Sequence, residues 1–87
     1  MKIRLLILSL VLSLAHAHAQ RQKIIFDCDL GDDIDDAFAL GMLLANQDKF
    51  EILGITTCYG RTDDRATLAL KFLYETAQEQ IPVYAGR

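Results

Sequence analysis

The sequence predicts an α/β protein, the start of an open, mostly parallel Rossmann-like sheet in the order β-α-β-α-β that stops after its third strand. Three observations predict it. Short apolar runs rich in β-branched residues, Ile24-Ile25-Phe26, Ile52 to Ile55 and Ile81 to Tyr84, alternate with two longer segments of helical character. Strands joined through helices pair in parallel, because a parallel connection needs a crossover. The densest chemistry of the chain sits where the first strand ends, at the edge where open parallel sheets bind ligands.

The first nineteen residues stand apart from this pattern. Lys2 and Arg4 form a basic start, Leu5 to Leu14 an apolar run, and Ala15-His16-Ala17 and Ala17-His18-Ala19 two overlapping small-residue cleavage patterns. Together they describe a secretory signal peptide over residues 1–19, removed after Ala17 or Ala19. The apolar run is short for a membrane anchor. The expected product is secreted or periplasmic.

Residues 20–87 then form one domain. Without Lys2 and Arg4, seven Lys and Arg face twelve Asp and Glu, a net charge of −5. That balance argues against nucleic acid as a partner, because a phosphate backbone wants a basic face. Both histidines lie in the leader, so acid–base work falls to carboxylates, Tyr, Lys or water. Cys28 and Cys58 are the two cysteines; a disulfide is permitted in an exported chain, but two small thiols near strand ends are the commoner arrangement.

The elements follow in order. Lys23 to Phe26, running into Asp27 and Cys28, is a buried strand. Gly31 gives the chain freedom to turn out of the sheet. Asp32 or Asp33 suits a helix N-cap, and Asp35 and Asp36 sit in the first turn, where free amides and the helix dipole favour carboxylates. The helix runs from about Ile34 to Asn46. Ala37 to Ala45 has almost no polar residue, which predicts burial on most sides. Phe50 to Thr57 is the second strand and Tyr59-Gly60-Arg61-Thr62 the turn after it. A second helix spans about Asp63 to Gln78, with Ala66, Leu70, Leu73 and Ala77 as its core stripe, widened by Ala69 and Phe72. Ile81 to Tyr84 begins a third strand, with Pro82 tolerated at its start.

Asp27 to Asp36 reads Asp-Cys-Asp-Leu-Gly-Asp-Asp-Ile-Asp-Asp and holds six of the twelve acidic residues. Two unit charges ~4 Å apart cost about 4 kcal/mol at an effective dielectric near 20. A solvated acidic turn spreads out to avoid this, whereas this stretch is held at both ends by core-forming segments. A hard divalent cation with oxygen ligands, calcium or magnesium, relieves the repulsion. The residues alone therefore predict a cation site at the functional edge.

The run Asp27 to Ala37 resembles the N-terminal signature of nucleoside hydrolases, the inosine–uridine-preferring N-ribohydrolase family. That signature is an aspartate pair ending strand one, a glycine, and Asp-Asp-Ala opening the first helix. Here these are Asp27 and Asp29, Gly31, and Asp35-Asp36-Ala37. The Gly31-to-Asp35 spacing resembles a variant among bacterial members. The likeness continues through Leu53-Gly54-Ile55-Thr56-Thr57, Tyr59-Gly60 and Pro82-Val83-Tyr84-Ala85-Gly86.

The resemblance implies a catalytic calcium held by Asp29 and Asp36, with Asp29 also the general base toward a calcium-bound water. Asp35 would contact the ribose hydroxyls, and Asp27 would support the ligands from behind. Arg61 stands where many members place a ribose-binding asparagine, so it is either a substrate contact or paired with Asp63 or Asp64. The implied partner is a small nucleoside, with no nucleic acid and no membrane contact once the leader is gone; a homo-oligomer is left open. Family members are several times longer and draw further calcium ligands and base-binding residues from later segments. The chain by itself is therefore expected to be inactive and aggregation-prone.

Other readings fit less well. Phosphohydrolases of the haloacid dehalogenase type also end strand one with Asp-x-Asp, making Asp27 nucleophile and Asp29 acid/base with magnesium. They want Thr or Val where Gly31 stands. An EF-hand loop starting at Asp27 would need glycine at Asp32 and glutamate at Phe38. A non-catalytic sugar- or nucleoside-binding module is the remaining alternative.

Overall fold

A computed structural model describes the backbone of Met1–Arg87 and the side chains of all residues except 15–19. Three parallel strands alternate with helices in the expected order. After the helix α1 (Lys2–Ala19) come β1 (Gln22–Cys28), α2 (Asp35–Leu44), β2 (Phe50–Thr57), α3 (Thr62–Glu75) and β3 (Val83–Ala85). The strands lie in the order β1-β2-β3, both pairings parallel.

The N-terminal segment is helical, and the side chains of Met1–Leu14 are exposed. No helix among the described residues is long and apolar enough to cross a membrane. The two expected cleavage patterns fall on residues 15–19, whose side chains lie outside the described residues.

Two successive crossovers step the sheet in one direction. Right-handed crossovers of that kind put both helices on one face. Leu40 of α2 and Ala69 and Leu73 of α3 accordingly meet Cys28, Ile52 and Ile55 of the strands in one core, closed by Leu30 and Ile81. The opposite face of the sheet is bare, with Ile25, Leu53 and Tyr84 exposed. Leu53 is also where the β1–β2 register slips: Ile24 pairs with Ile52, but Ile25 pairs with Gly54. The bulge keeps both Ile52 and Ile55 in the core although three positions separate them.

One-sided layering corrects the expectation for α2. Among its residues only Leu40 is buried, while Phe38 and Met42 are 69% and 68% exposed. An apolar groove of about 520 Å³ runs along that outer side, lined by Ile34, Phe38, Met42 and Phe72 among others. The helix is apolar all round, but the topology gives it a single neighbour layer. It also ends at Leu44 rather than Asn46, because the Asn46 side-chain amide donates back to the Met42 carbonyl at 2.7 Å.

The stripe of α3 is rotated from the expected one. Thr62, Ala69 and Leu73 are buried, whereas Leu70 and Ala77 are exposed. Ala77 lies beyond the helix with φ 57°. There the Gln78 amide donates to Leu73 at 2.7 Å and the Ala77 amide to Tyr74 at 3.1 Å, the paired bonds of a Schellman end. A left-handed position of this kind disfavours a Cβ. Ala77→Gly is expected to stabilise the protein by roughly 0.5–1 kcal/mol, measured by denaturant unfolding.

Candidate active site

The carboxyl ends of β1 and β2 carry the site. β1 delivers Asp27 and Cys28 in register with Thr56 and Thr57. Side chains alternate along the strand, so Cys28 enters the core and Asp27 points to the bare face. The Thr56 hydroxyl donates to the Asp27 carboxylate at 2.8 Å, fixing it against the sheet. The chain then leaves the strand at Asp29 and turns at Gly31, whose φ of 97° suits glycine. The Asp32 amide donates to the Asp29 carbonyl at 3.1 Å and closes the turn.

The structure brings Asp29 and Asp36 together. Asp36 lies in the first turn of α2, and its carboxylate accepts the Asp29 backbone amide at 3.0 Å. The neighbouring Asp29 carboxyl, reinforced by partial burial, raises the Asp36 pKa above the usual aspartate value. The Asp29 amide pulls in the other direction. A carboxyl beside another acidic group holds its proton more tightly when nothing else neutralises the pair. A proton held more tightly in the folded state contributes stability below the ordinary aspartate pKa. That contribution is lost as pH rises through the elevated value. Cation-free protein is therefore expected to lose this part of its stability as pH rises through that window. Added calcium should cancel or reverse the slope, as thermal melts across acidic pH would show.

The remaining acidic residues are placed differently from one another. Asp35 is exposed, and its carboxylate accepts the Asp36 amide at 3.0 Å. Neither Asp32 nor Asp33 caps α2. The N-cap position is Ile34, with no side-chain cap, and Asp33 instead accepts the adjacent Ile34 amide at 2.8 Å. Helical geometry already at Ile34 leaves the two aspartates in the turn preceding the helix. Arg61 is 87% exposed and pairs with Asp64 at 2.6 Å. Cys28 and Cys58 are both free thiols, the first buried and raised in pKa chiefly by that burial.

Arg65 was not legible as a site residue. Its side chain, only 14% exposed, lies between the loop after β1 and the loop after β2. It donates to the carbonyls of Asp29 (2.8 Å), Leu30 (3.1 Å) and Tyr59 (2.7 Å). In sequence it reads as one more charged residue in the acidic, solvated start of a helix. The available signal was its place four residues before Ala69, on the face that packs inward.

A buried threonine pair braces the same edge. The Thr57 hydroxyl donates to the Thr62 carbonyl at 2.8 Å, and the Thr62 hydroxyl donates to Gly86 at 2.6 Å. Gly86 returns its amide to the Thr57 carbonyl, an approach so close that any Cβ there would overlap that oxygen. The loops at this edge are thus tied to the strands through β3.

The donor set of Asp27, Asp29 and Asp36 is all carboxylate oxygen, which suits a hard cation. Asp29 and Asp36 are the two joined by a hydrogen bond, from the Asp29 amide to the Asp36 carboxylate. Among the described residues, no three His, Cys, Asp or Glu side chains converge as a metal-holding group. The residues fit calcium in donor chemistry, with Asp29 and Asp36 as the side chains able to hold it.

Comparison with curated proteins and with solved structures gives no match. The family model described as "Inosine-uridine preferring nucleoside hydrolase" matches residues 24–87. That match runs from within β1 through β3 and contains every residue of the edge just described. The chain belongs to the inosine-uridine preferring nucleoside hydrolase family.

Proposed function

We propose that the full-length protein is an exported, calcium-dependent hydrolase that cleaves the N-glycosidic bond of ribonucleosides to ribose and free base. Family membership supports N-ribohydrolase chemistry in general. The observation that carries the finer reading is the contact between Asp29 and Asp36 at the carboxyl edge of β1. Calcium, when bound, supplies positive charge that anchors the sugar diol and makes a water easier to deprotonate.

In this reading Asp29 and Asp36 hold the cation, and Asp29 takes a proton from the attacking water. Asp35, exposed one position before Asp36, hydrogen-bonds the ribose hydroxyls. The departing base leaves a ribosyl cation-like centre, which the nearby carboxylates stabilise. Asp27, held by Thr56, keeps its charge behind the pair. Arg61 reaches substrate by releasing Asp64, an exposed pair of a kind worth under about 1 kcal/mol. Export rests on the basic start, the Leu5–Leu14 run and the small-residue patterns at 15–19. Amino-terminal sequencing of secreted protein should find His18 or Gln20 first; finding Met1 would contradict export.

Incubation of the full-length protein with inosine, uridine and a phosphomonoester tests the reaction class. Ribose release from a nucleoside is the expected result. Phosphate release without ribose would instead favour a phosphohydrolase, and bound but uncleaved nucleoside a binding module.

A further inference from the structure

We propose that Arg65 is a positioning residue that fixes the Asp29 carboxylate by clamping the loops after β1 and β2 together. The role rests on the reading of Asp29 as cation ligand and base. Arg65 stands in the first turns of α3, and its guanidinium lies beside Gly31, where a Cβ would come within 3.8 Å of Nη1. Nη1 donates to the carbonyls of both Asp29 and Leu30, so the guanidinium holds two successive peptides of the turn that follows β1. Nε holds the carbonyl of Tyr59 in the turn that follows β2.

That second turn needs holding. Tyr59 and Gly60 have consecutive positive φ values of 69° and 67°, and for a tyrosine this backbone is unfavourable. The guanidinium also lies over the Tyr59 ring, 5.8 Å from its centre, so one side chain secures both the carbonyl and the ring. Among the described residues Arg65 pairs with Asp32 at 4.0 Å from Nη2, and it directs its donors at backbone oxygens rather than at an acidic partner.

The geometry carries a consequence for Asp29. Its carbonyl is held by Arg65 and its amide by Asp36, seven residues on. Both peptide groups that flank its Cα are therefore pinned, and the side chain has only its own torsions left to vary. A planar fork of donors can span two loops, which a lysine ammonium cannot do with the same geometry. Outer contacts of this kind typically alter metal affinity or activity 10–100-fold when removed.

The test compares the full-length protein with its Arg65→Met and Arg65→Lys variants. Amide hydrogen exchange on cation-free protein and calcium affinity by calorimetry are the readouts. In Arg65→Met the Asp29 amide should lose at least about tenfold in protection, while the Ile55 amide in the central strand keeps its own. Calcium affinity should fall roughly 10–100-fold. Arg65→Lys should show the same changes to a smaller degree, and it serves alone if Arg65→Met does not fold. Parental Asp29 protection and parental calcium affinity in a folded variant would overturn the proposal. Parental protein that binds calcium but releases no ribose would remove the proposed reaction, with the Arg65 comparison still read from exchange and affinity. Parental protein that binds no calcium would overturn both.

Discussion

Asp29→Asn is expected to reduce ribose release by roughly 10²–10⁴-fold, the range that a positioned general base supplies. The substitution keeps the shape of the side chain and leaves the backbone amide bond to Asp36 and the carbonyl bond to Arg65 available. What it removes is charge, and with it both a cation ligand and the proton acceptor. Asp33→Asn is the matched control. Asp33 bonds only the next amide and supports no helix end, so its loss should cost about 1 kcal/mol or less of stability and little activity. Equal damage from both would mean that the roles within the acidic stretch are misassigned. Steady-state rates on inosine at saturating calcium separate the two outcomes.

The largest expected effect on stability comes from Leu40→Ala. Leu40 has no exposed surface and is the one α2 residue fully inside the core shared with Ile55 and Leu73. Truncating such a leucine costs about 2–5 kcal/mol, a transfer loss plus the cavity left behind. A domain of this size has a marginal reserve, so the variant should unfold at or near ambient temperature. Met42→Ala, two residues away on the exposed side of the same helix, should cost under about 0.5 kcal/mol in this chain. Denaturant midpoints of the two variants decide it. A Met42 cost approaching that of Leu40 would show that the outer side of α2 is covered.

The contrast between these neighbours explains what the sequence could and could not reveal. Ile24-Ile25-Phe26 and Ile52 to Ile55 are β-branched runs too short for helices, so the βαβ order was legible. The same logic put the acidic stretch at the functional edge, because a strand end and the next helix start meet there; the pairing of Asp29 with Asp36 came from the family resemblance. Burial within α2 was not legible. An apolar run from Ala37 to Ala45 gives no phase, and the choice of Leu40 over Phe38 and Met42 was made by two crossovers stepping the same way. The phase of α3 was misread for a related reason. Leu70 looks like core, but the inward face carries the small Ala69 and the polar Thr62, whose hydroxyl donates to Gly86. Arg65 was hidden because its partners are main-chain carbonyls, which leave no mark on sequence. The bulge at Leu53 was equally silent, since Gly54 beside it suits several backbone roles.

The most direct test of the account is the calcium dependence of ribose release by the full-length protein. With inosine or uridine as substrate, a calcium chelator should abolish release and added calcium should restore it. Release that continues undiminished after exhaustive chelation would contradict the assignment of Asp29 and Asp36 to a cation.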